Sequence, residues 1–331
     1  MTRIAILSVA HMHAQSYCRA LQSIQSVQIS GVYDDDAPRA KRFAERNGLH
    51  PSTDLEDLLS SSDAAIICAE NRHHLRYIEA AARAGKPVLC EKPLSSDRET
   101  GRRISEVIHS SQIPFYLALP MRFVSSVQEA RAAVTSGAIG RVLAMQGTNH
   151  GSVPQGWFLD DALSGGGAVA DHVPHVVDLM HWMIGKEVTE VYAEIDSGDF
   201  TSSIDDCAIL TMTWADGTFS TLDPSWSRIQ GVYPEWGDVT LEVVGTQGVV
   251  SVDALAQKVD SFTQSTPNHR HISYGDDADF YMIHEFVSCV RQGTPSKVLA
   301  TLSDGMHALR VTHAAYESAK TGQPVTVSRD Y

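Results

Sequence analysis

The sequence predicts an α/β protein with a doubly wound parallel sheet in its N-terminal part and an α+β domain with a large, mainly antiparallel sheet in its C-terminal part. Short apolar strands alternate with helices over residues 1–120, and longer β-prone segments joined by tight turns follow over residues 121–331. Strands that alternate with helices in this way must be parallel and covered on both faces. A chain of 331 residues is also long enough for two domains.

Five short apolar runs are the predicted strands of the first domain. They are Arg3–Val9, Val27–Tyr33, Ala64–Ala69, Val88–Cys90 and Phe115–Leu119. Apolar residues at helical spacing separate these runs, and the first such set extends from Ala14 to Ile24. Asp36 can cap the next helix and Gly48 follows its end, which are ordinary start and stop signals.

The second domain is predicted to contain one helix, then a meander of strands, then two closing helices. A helix around Val127–Thr135 precedes the strands, and helices at Tyr281–Arg291 and Leu302–Thr321 follow them. The predicted strands are Arg141–Thr148, Glu190–Asp196, Cys207–Trp214, Thr218–Asp223, Val239–Val244 and Val249–Val252. Asp216-Gly217 and Gln247-Gly248 supply the short turns that predict antiparallel pairing.

Charge and cysteine content restrict the partners and the compartment that we expect. The chain has 26 Lys+Arg against 40 Asp+Glu, a net charge of −14, which argues against nucleic acid and anionic membranes as partners. No apolar run approaches the 18 residues that a membrane span needs. The cysteines have no CxxC spacing and are Cys18, Cys68, Cys90, Cys207 and Cys289. We therefore expect a cytoplasmic protein with reduced thiols.

The turn after the first strand is where a dinucleotide-binding fold places its GxGxxG sequence. Here the segment Ser8-Val9-Ala10-His11-Met12-His13 contains no glycine. Ser8 and Ala10 are small enough for the first two glycine positions, whereas His13 is a large departure at the third. Asp34 ends the second strand, 21 residues after His13. In dinucleotide-binding folds an acidic residue about 20 residues after the turn binds the adenosine ribose, and its charge would repel the 2′-phosphate of NADP. This predicts NAD rather than NADP, although Asp34 is equally consistent with an ordinary loop aspartate.

Later motifs are more specific and extend over nearly the whole chain. They are Ala84-Gly85-Lys86-Pro87-Val88-Leu89-Cys90-Glu91-Lys92-Pro93, Gly165-Gly166-Gly167 with Asp171-xxx-His175-xx-Asp178, Asn71-xx-His74, Arg122-Phe123, and the C-terminal run from Glu285-Phe286 to Gly322-Gln323-Pro324-Val325. Together these residues resemble the Gfo/Idh/MocA family of sugar and polyol oxidoreductases. The resemblance implies a Rossmann domain, NAD as cofactor, a carbohydrate or polyol substrate, and an open C-terminal sheet that joins subunits into a dimer or tetramer.

The resemblance also assigns roles to matching positions. It implies that Lys92, Asp171 and His175 are catalytic. Together with the first turn, it predicts cofactor contacts from Ser8, Ala10, His11, Met12, His13, Asp34, Asn71, His74, Glu91 and Lys92. The predicted substrate contacts are Lys92, Arg122, Trp157, Asp171, His172 and His175. Packing at a domain interface is an equally good interpretation of Arg122 and Trp157. A loop at Tyr233–Trp236 is predicted to cover the cleft.

The residue chemistry agrees with those catalytic roles. Asp171, His175 and Asp178 share one helix face, and Pro174 predicts that this helix begins near Asp171, because proline is tolerated only in a first turn. An imidazole can accept a hydroxyl proton at neutral pH, and the Lys92 ammonium can stabilise alkoxide character. Alone, each residue is more often a surface lysine, a helix cap or a core histidine. Their combination in the family's spacing favours catalysis, with Asp178 structural.

Histidines are unusually frequent around the predicted cleft. His11 and His13 occupy the first turn, and His172 replaces the aliphatic residue that is usual in the family after Asp171. Glu70 replaces the proline that commonly precedes Asn71. Histidines with a carboxylate are plausible transition-metal ligands, which makes His11, His13 and His172 an alternative metal cluster. No strong metal motif such as HExxH is present, so we expect no metal, with His11 and His13 on the pyrophosphate or the helix terminus.

These observations predict an oxidoreductase that moves hydride between NAD and a secondary alcohol of a sugar, inositol or related polyol. His175 is the expected base, Lys92 stabilises the oxyanion and Asp171 orients the substrate. One alternative is a redox-neutral lyase, glycoside hydrolase or epimerase that uses NAD transiently or a histidine-bound metal. A second alternative is a non-catalytic ligand-binding protein on the same fold.

Overall fold

The computed structural model describes residues 1–197, 204–229, 237–263 and 266–328, without the side chains of residues 260 and 262–273. The predicted loop at Tyr233–Trp236 lies outside the described residues. None of the described helices combines the length and the apolar character that a membrane span requires.

The first sheet has six strands in the order β14-β5-β4-β3-β1-β2. Its parallel strands are β1 (Thr2–Leu7), β2 (Val27–Tyr33), β3 (Ala64–Ile67), β4 (Val88–Glu91) and β5 (Phe115–Ala118). The strand β14 (Ala300–Thr301) pairs antiparallel with β5. Every residue of β3, β4 and β5 is buried, as a parallel sheet covered on both faces requires. The predicted doubly wound sheet is therefore confirmed.

Helices cover both faces of this sheet. The helices of the N-terminal part are α1 (Ala14–Ser23), α2 (Ala37–Asn47), α3 (Leu55–Ser60), α4 (His74–Arg83) and α5 (Arg98–Ser111). Asp36 caps α2 by accepting from the Arg39 backbone N–H, and Gly48 ends it in the left-handed conformation, as the sequence predicts. The late helix α9 (Ala278–Gln292) packs against α1. Residues from the end of the chain thus complete the N-terminal layer, and a domain division at residue 120 stays a prediction.

The second sheet has seven strands in the order β11-β10-β6-β9-β8-β7-β15. They are β6 (Val142–His150), β7 (Val188–Asp196), β8 (Cys207–Trp214), β9 (Phe219–Ser225), β10 (Asp238–Gly245), β11 (Val249–Asp253) and β15 (Val325–Thr326). Neighbours pair antiparallel except β6 and β9, which are parallel. A separate antiparallel pair is formed by β12 (Lys258–Thr263) and β13 (Thr266–Ser273). The mainly antiparallel second sheet is therefore confirmed.

Within the described residues, helices cover one face of the second sheet and leave the other open. The covering helices are α6 (Ser125–Thr135), α8 (Ala168–Ile184) and α10 (Leu302–Thr321), and the short α7 (Asp161–Ser164) precedes α8. Burial alternates along β8, where Leu210 and Met212 are buried and Ile209 is exposed. At the end of β6, the hydrogen bonds that the His150 ring donates to Asp223 and Asp238 outweigh the effect of burial and raise the pKa of His150 to about 9.

The start of α8 corrects one prediction from the sequence. The helix begins at Ala168 rather than near Asp171, so Pro174 lies inside it. Asp205 fixes this earlier start, because its carboxylate accepts the backbone N–H groups of Gly167 and Val169, each at 2.8 Å. A side chain at position 167 would bring its Cβ to 1.9 Å from the Asp205 carbonyl oxygen, so only glycine fits there.

Candidate active site

A cavity of about 510 Å³ lies between the first turn, the end of β4 and the N-terminal half of α8. Backbone and side chains from both sheets line it: His11, Met12, His13, Lys92, Met121, Asn149, Gly151, Ser152, Val153, Pro154, Phe158, Asp171, His172, His175 and Val239. The parallel strands end at this cavity, which is where ligands bind in doubly wound folds. The three predicted catalytic residues are therefore brought together.

Asp171 is the most heavily bonded group in the cavity wall. Its carboxylate contacts the Lys92 ammonium and accepts from Trp226 Nε1 at 3.1 Å, and His172 Nε2 lies 3.3 Å from it. Burial alone would raise the pKa of Asp171, but the positive charge of Lys92 and the contact with His172 hold that pKa well below its usual range. Asp171 is therefore ionised, and Lys92, only 4% exposed, is oriented toward it.

His175 stands one helical turn after Asp171 and is neutral. Burial and the neighbouring Lys92 ammonium hold the pKa of His175 well below its usual range. Its Nδ1 atom is buried and has no hydrogen-bond partner among the described residues. A neutral imidazole on the cavity wall has a free lone pair with which it can accept a proton.

His172 is fixed by the second sheet. Its Nδ1 donates to the backbone oxygen of Asn149 at 2.9 Å, and the Asn149 amide donates to the His172 backbone oxygen at 3.3 Å. The Asn149 contact leaves Nε2 facing Asp171. His172 thus lines the cavity, and among the described residues the group of potential ligand atoms within 4.8 Å of one another contains His11 and His13 but not His172, so the alternative metal cluster of these three histidines is not supported by their positions. A carboxylate side chain instead lies beside both first-turn histidines. Glu91 Oε1 is 3.6 Å from His11 Nδ1 and 3.1 Å from His13 Nδ1.

The first turn keeps the backbone of a glycine turn without a glycine. Ser8 has a φ of 61°, in the left-handed region that favours glycine. Its hydroxyl donates to Asp34 Oδ2 at 3.0 Å and accepts the Ala10 backbone N–H at 3.3 Å. The Val9 backbone N–H also donates to Asp34, at 2.8 Å. These bonds stabilise a conformation that would otherwise be unfavourable for serine.

Asp34 lies at the end of β2, with its carboxylate already bonded. Besides the first turn, Arg39 donates to both of its oxygens at 2.8 Å, and Arg39 also donates to Glu70 at 2.8 Å. Burial would raise the pKa of Asp34, but Arg39 and the backbone donors lower it. Two carboxylates therefore surround one guanidinium at the predicted ribose position, and ribose recognition by Asp34 stays a prediction.

Asn71 and His74 form structural bonds near the cavity. The Asn71 amide donates to the Ser164 backbone oxygen at 2.7 Å, and its Oδ1 atom is buried without a partner among the described residues. His74 is fully buried between the backbone oxygens of Leu94 and Ala69, each at 3.3 Å. Because His74 does not line the cavity, the predicted cofactor contact from its ring is not supported by its position.

Arg122 and Trp157 also lie outside the cavity lining. Arg122 is 3% exposed, donates from Nε to Asp178 at 2.7 Å and lies 3.2 Å from Asp304. These bonds, with a further one from Nη1 to the Val298 backbone oxygen, favour the packing interpretation, and substrate binding by Arg122 stays a prediction. Trp157 donates from Nε1 to the Ala10 backbone oxygen at 3.1 Å and stacks on Phe158, which does line the cavity.

Two residues that hold the site were missed by sequence reasoning. Trp226, which donates to Asp171, follows the last residue of β9 and gives no local signal of its role. Asn149 reaches His172 because β6 alternates between its two faces and places this residue on the helix side. The predicted strand ended at Thr148, one residue before Asn149, and the packing of β6 against α8 was not readable in the sequence.

Comparison with known proteins identifies the family. Residues 2–117 match the model of the oxidoreductase family with an NAD-binding Rossmann fold, and residues 127–251 match the GFO/IDH/MocA C-terminal domain. The chain belongs to the Gfo/Idh/MocA family.

Relatives in this family match over nearly the whole chain. An uncharacterised oxidoreductase of Bacillus subtilis is 26% identical over 96% of this chain and 94% of its own. The myo-inositol 2-dehydrogenase of Thermotoga maritima is 24% identical over 97% of this chain and 96% of its own. Among solved structures, GenD2 from gentamicin A biosynthesis in complex with NAD superposes with a TM-score of 0.88, at 23% identity over 99% of this chain and 96% of that chain.

Proposed function

We propose that this protein is an NAD-dependent dehydrogenase that transfers hydride between a secondary alcohol of a sugar, inositol or related polyol and nicotinamide. The proposal depends on one observation: the side chains of Lys92, Asp171 and His175 line the same cavity, beside the turn that follows β1. Membership of an oxidoreductase family and the similarity to myo-inositol 2-dehydrogenase support the reaction and the substrate class.

The residues around the first turn fit a dinucleotide. Ser8 supplies the left-handed backbone that a glycine supplies elsewhere, and the cavity begins directly beside this turn. The Oδ1 atom of Asn71 is a buried hydrogen-bond acceptor with no partner among the described residues, so it is available to a donor group of the cofactor. Ser8–His13, Asn71 and Glu91 are the residues that would hold the cofactor. When bound, NAD accepts the hydride from the carbinol carbon.

The chain's own residues then handle the proton and the charge. The Lys92 ammonium is held by Asp171 and donates a hydrogen bond to the substrate oxygen as alkoxide character develops. The neutral His175 imidazole, which lines the cavity, accepts the hydroxyl proton. Asp171 remains ionised, orients the ammonium and accepts a hydrogen bond from a neighbouring hydroxyl. The apolar Met121, Phe158 and Val239 exclude water from this wall.

NAD is favoured over NADP by the charge at the end of β2. Asp34 and Glu70 place two carboxylates around Arg39, so a 2′-phosphate would meet a net negative charge and a guanidinium that is already paired. Titration with both cofactors, followed by tryptophan fluorescence and calorimetry, tests this preference. We expect NAD⁺ to bind more tightly than NADP⁺, and Asp34→Ala to reduce the difference.

Product analysis tests the reaction itself. With the true substrate, one NADH is expected for each molecule of ketone formed. A product that forms without any net NADH would instead establish one of the redox-neutral reactions. A Lys92→Ala protein with full turnover would refute the catalytic assignment.

The open face of the second sheet supports a homo-oligomer. Ile209 and Phe219 on this face are 51% and 57% exposed, which is unusual for large apolar residues of a sheet. We expect a dimer or tetramer in which a second copy covers these residues. Light scattering tests this arrangement, and a monomeric wild type, or an Ile209→Lys/Phe219→Lys variant with unchanged mass, would contradict it.

A further inference from the structure

Two imidazoles and one buried carboxylate converge between the first turn and the end of β4. Glu91 is completely buried, His11 is 2% exposed, and the His13 side chain is 25% exposed. The Glu91 Oε1 atom lies 3.6 Å from His11 Nδ1 and 3.1 Å from His13 Nδ1, and the two rings pack edge to face with centroids 4.5 Å apart. One ligand-type atom from each residue lies within 4.8 Å of the others.

These separations are close to those of a metal centre. Ligand atoms about 2.0–2.1 Å from a tetrahedral zinc ion are about 3.3 Å apart, and the two contacts of Glu91 lie on either side of that value. Two histidines and one carboxylate are also a common ligand set for divalent transition metals. We propose that His11, His13 and Glu91 bind one divalent transition-metal ion, of which Zn²⁺ is the test case.

The charge around the cluster suits a cation. Glu91 is a completely buried carboxylate beside two imidazoles, so it supplies a negatively charged ligand. Asp279 adds a second carboxylate near His13, and Asp171 balances the nearby Lys92 ammonium. A bound ion would replace a weak interaction, the 3.2 Å bond from the His13 backbone N–H to His11 Nδ1.

The surroundings also supply the outer shell that metal ligands need. The Lys92 backbone N–H donates to the second oxygen of Glu91 at 3.1 Å, which fixes the carboxylate orientation. His11 and His13 line the same cavity as Lys92 and His175, and three protein ligands leave a fourth coordination position open. That position takes water or a substrate hydroxyl. The proposal goes beyond the proposed hydride transfer but uses residues of the same turn, and a ligand role accounts for histidine at the position where the third glycine is expected.

Calorimetric titration with Zn²⁺ tests the site on protein that has been dialysed against a chelator. We expect one ion per chain, together with visible absorption bands when Co²⁺ replaces Zn²⁺. His13→Gly restores the glycine of the turn and removes a ligand. Because loss of an outer-shell partner costs roughly 10–100-fold, loss of this direct ligand should weaken binding at least roughly 100-fold. His109→Ala removes an exposed imidazole of α5 and should leave the titration unchanged.

Two further measurements guard against misfolding and chance binding. Affinity should fall as the pH is lowered, because the imidazole ligands must be deprotonated to bind the ion. His11→Gln should lose the site as His13→Gly does, with circular dichroism confirming the fold of whichever variant is used. Absence of stoichiometric binding by the wild type, or equal binding by the folded His13→Gly or His11→Gln variants, would overturn the proposal.

Discussion

Replacing Lys92 with glutamine removes its positive charge and keeps a donor that can reach Asp171. The ammonium and this carboxylate form a buried pair, and breaking such a pair from one side costs roughly 3–5 kcal/mol of the free energy of unfolding. Trp226 Nε1 still donates to Asp171 in the variant, and the glutamine retains a hydrogen bond, so we expect the lower end of that range, roughly 3 kcal/mol. For catalysis, loss of an oxyanion donor lowers kcat/KM by roughly 10²–10³.

A double variant separates the two consequences of this substitution. Lys92→Gln/Asp171→Asn contains neither charge, so the unfolding free energy should recover while kcat/KM stays low. Urea unfolding and NADH absorbance on one polyol measure the two effects, and Lys41→Gln, which removes a 70% exposed lysine side chain, is the control. Full turnover by Lys92→Gln, or recovery of activity in the double variant, would refute the assigned role of the ammonium.

Three other substitutions test the supporting structure. Arg122→Met leaves two aspartates without their cation and should lower the free energy of unfolding by roughly 3–5 kcal/mol in urea, whereas the exposed Arg141→Met should change it little. Ser8→Ala keeps the strained φ and loses the hydroxyl bonds, so it should lower the free energy of unfolding by roughly 1–2 kcal/mol. Ser8→Gly should lower it less, because glycine adopts this φ without strain, and the reverse order would contradict the account. The raised pKa of His150 contributes stability that is complete below its ordinary pKa of about 6.5 and is lost as the pH rises through about 9. The wild type should therefore lose stability across that interval, and His150→Gln should lose less; parallel pH curves would exclude this contribution.

Much of the fold could be predicted because its elements carry strong local signals. The bounds of β2, β8 and α10 agree with the sequence prediction, since each has a clear apolar period and a distinct terminus. The two-residue strand β14 was missed because its position depends on pairing with β5, far away in the chain. The start of α8 was misplaced for a similar reason, since its cap comes from Asp205, 37 residues after Ala168.

Some features of the candidate site could likewise be predicted from the sequence, and others depend on contacts between distant parts of the chain. Lys92, Asp171 and His175 were predictable because motif spacing places them at one sheet edge and one helix face. The packing of Arg122 could not be predicted because its burial between Asp178 and Asp304 depends on two helices distant in the chain. Glu91 rather than His172 lies beside the two histidines of the first turn, and the Asn149 backbone oxygen holds the His172 ring next to Asp171.

The central claim is that this turn and cavity bind NAD for hydride transfer, and cofactor titration tests it most directly. Chelator-dialysed protein is titrated with NAD⁺ and with NADP⁺ by tryptophan fluorescence and calorimetry, and nucleotide is assayed in the denatured protein. The account predicts micromolar binding of NAD⁺ and weaker binding of NADP⁺, or NAD already present after purification. No binding of either cofactor, with no nucleotide released on denaturation, would contradict it.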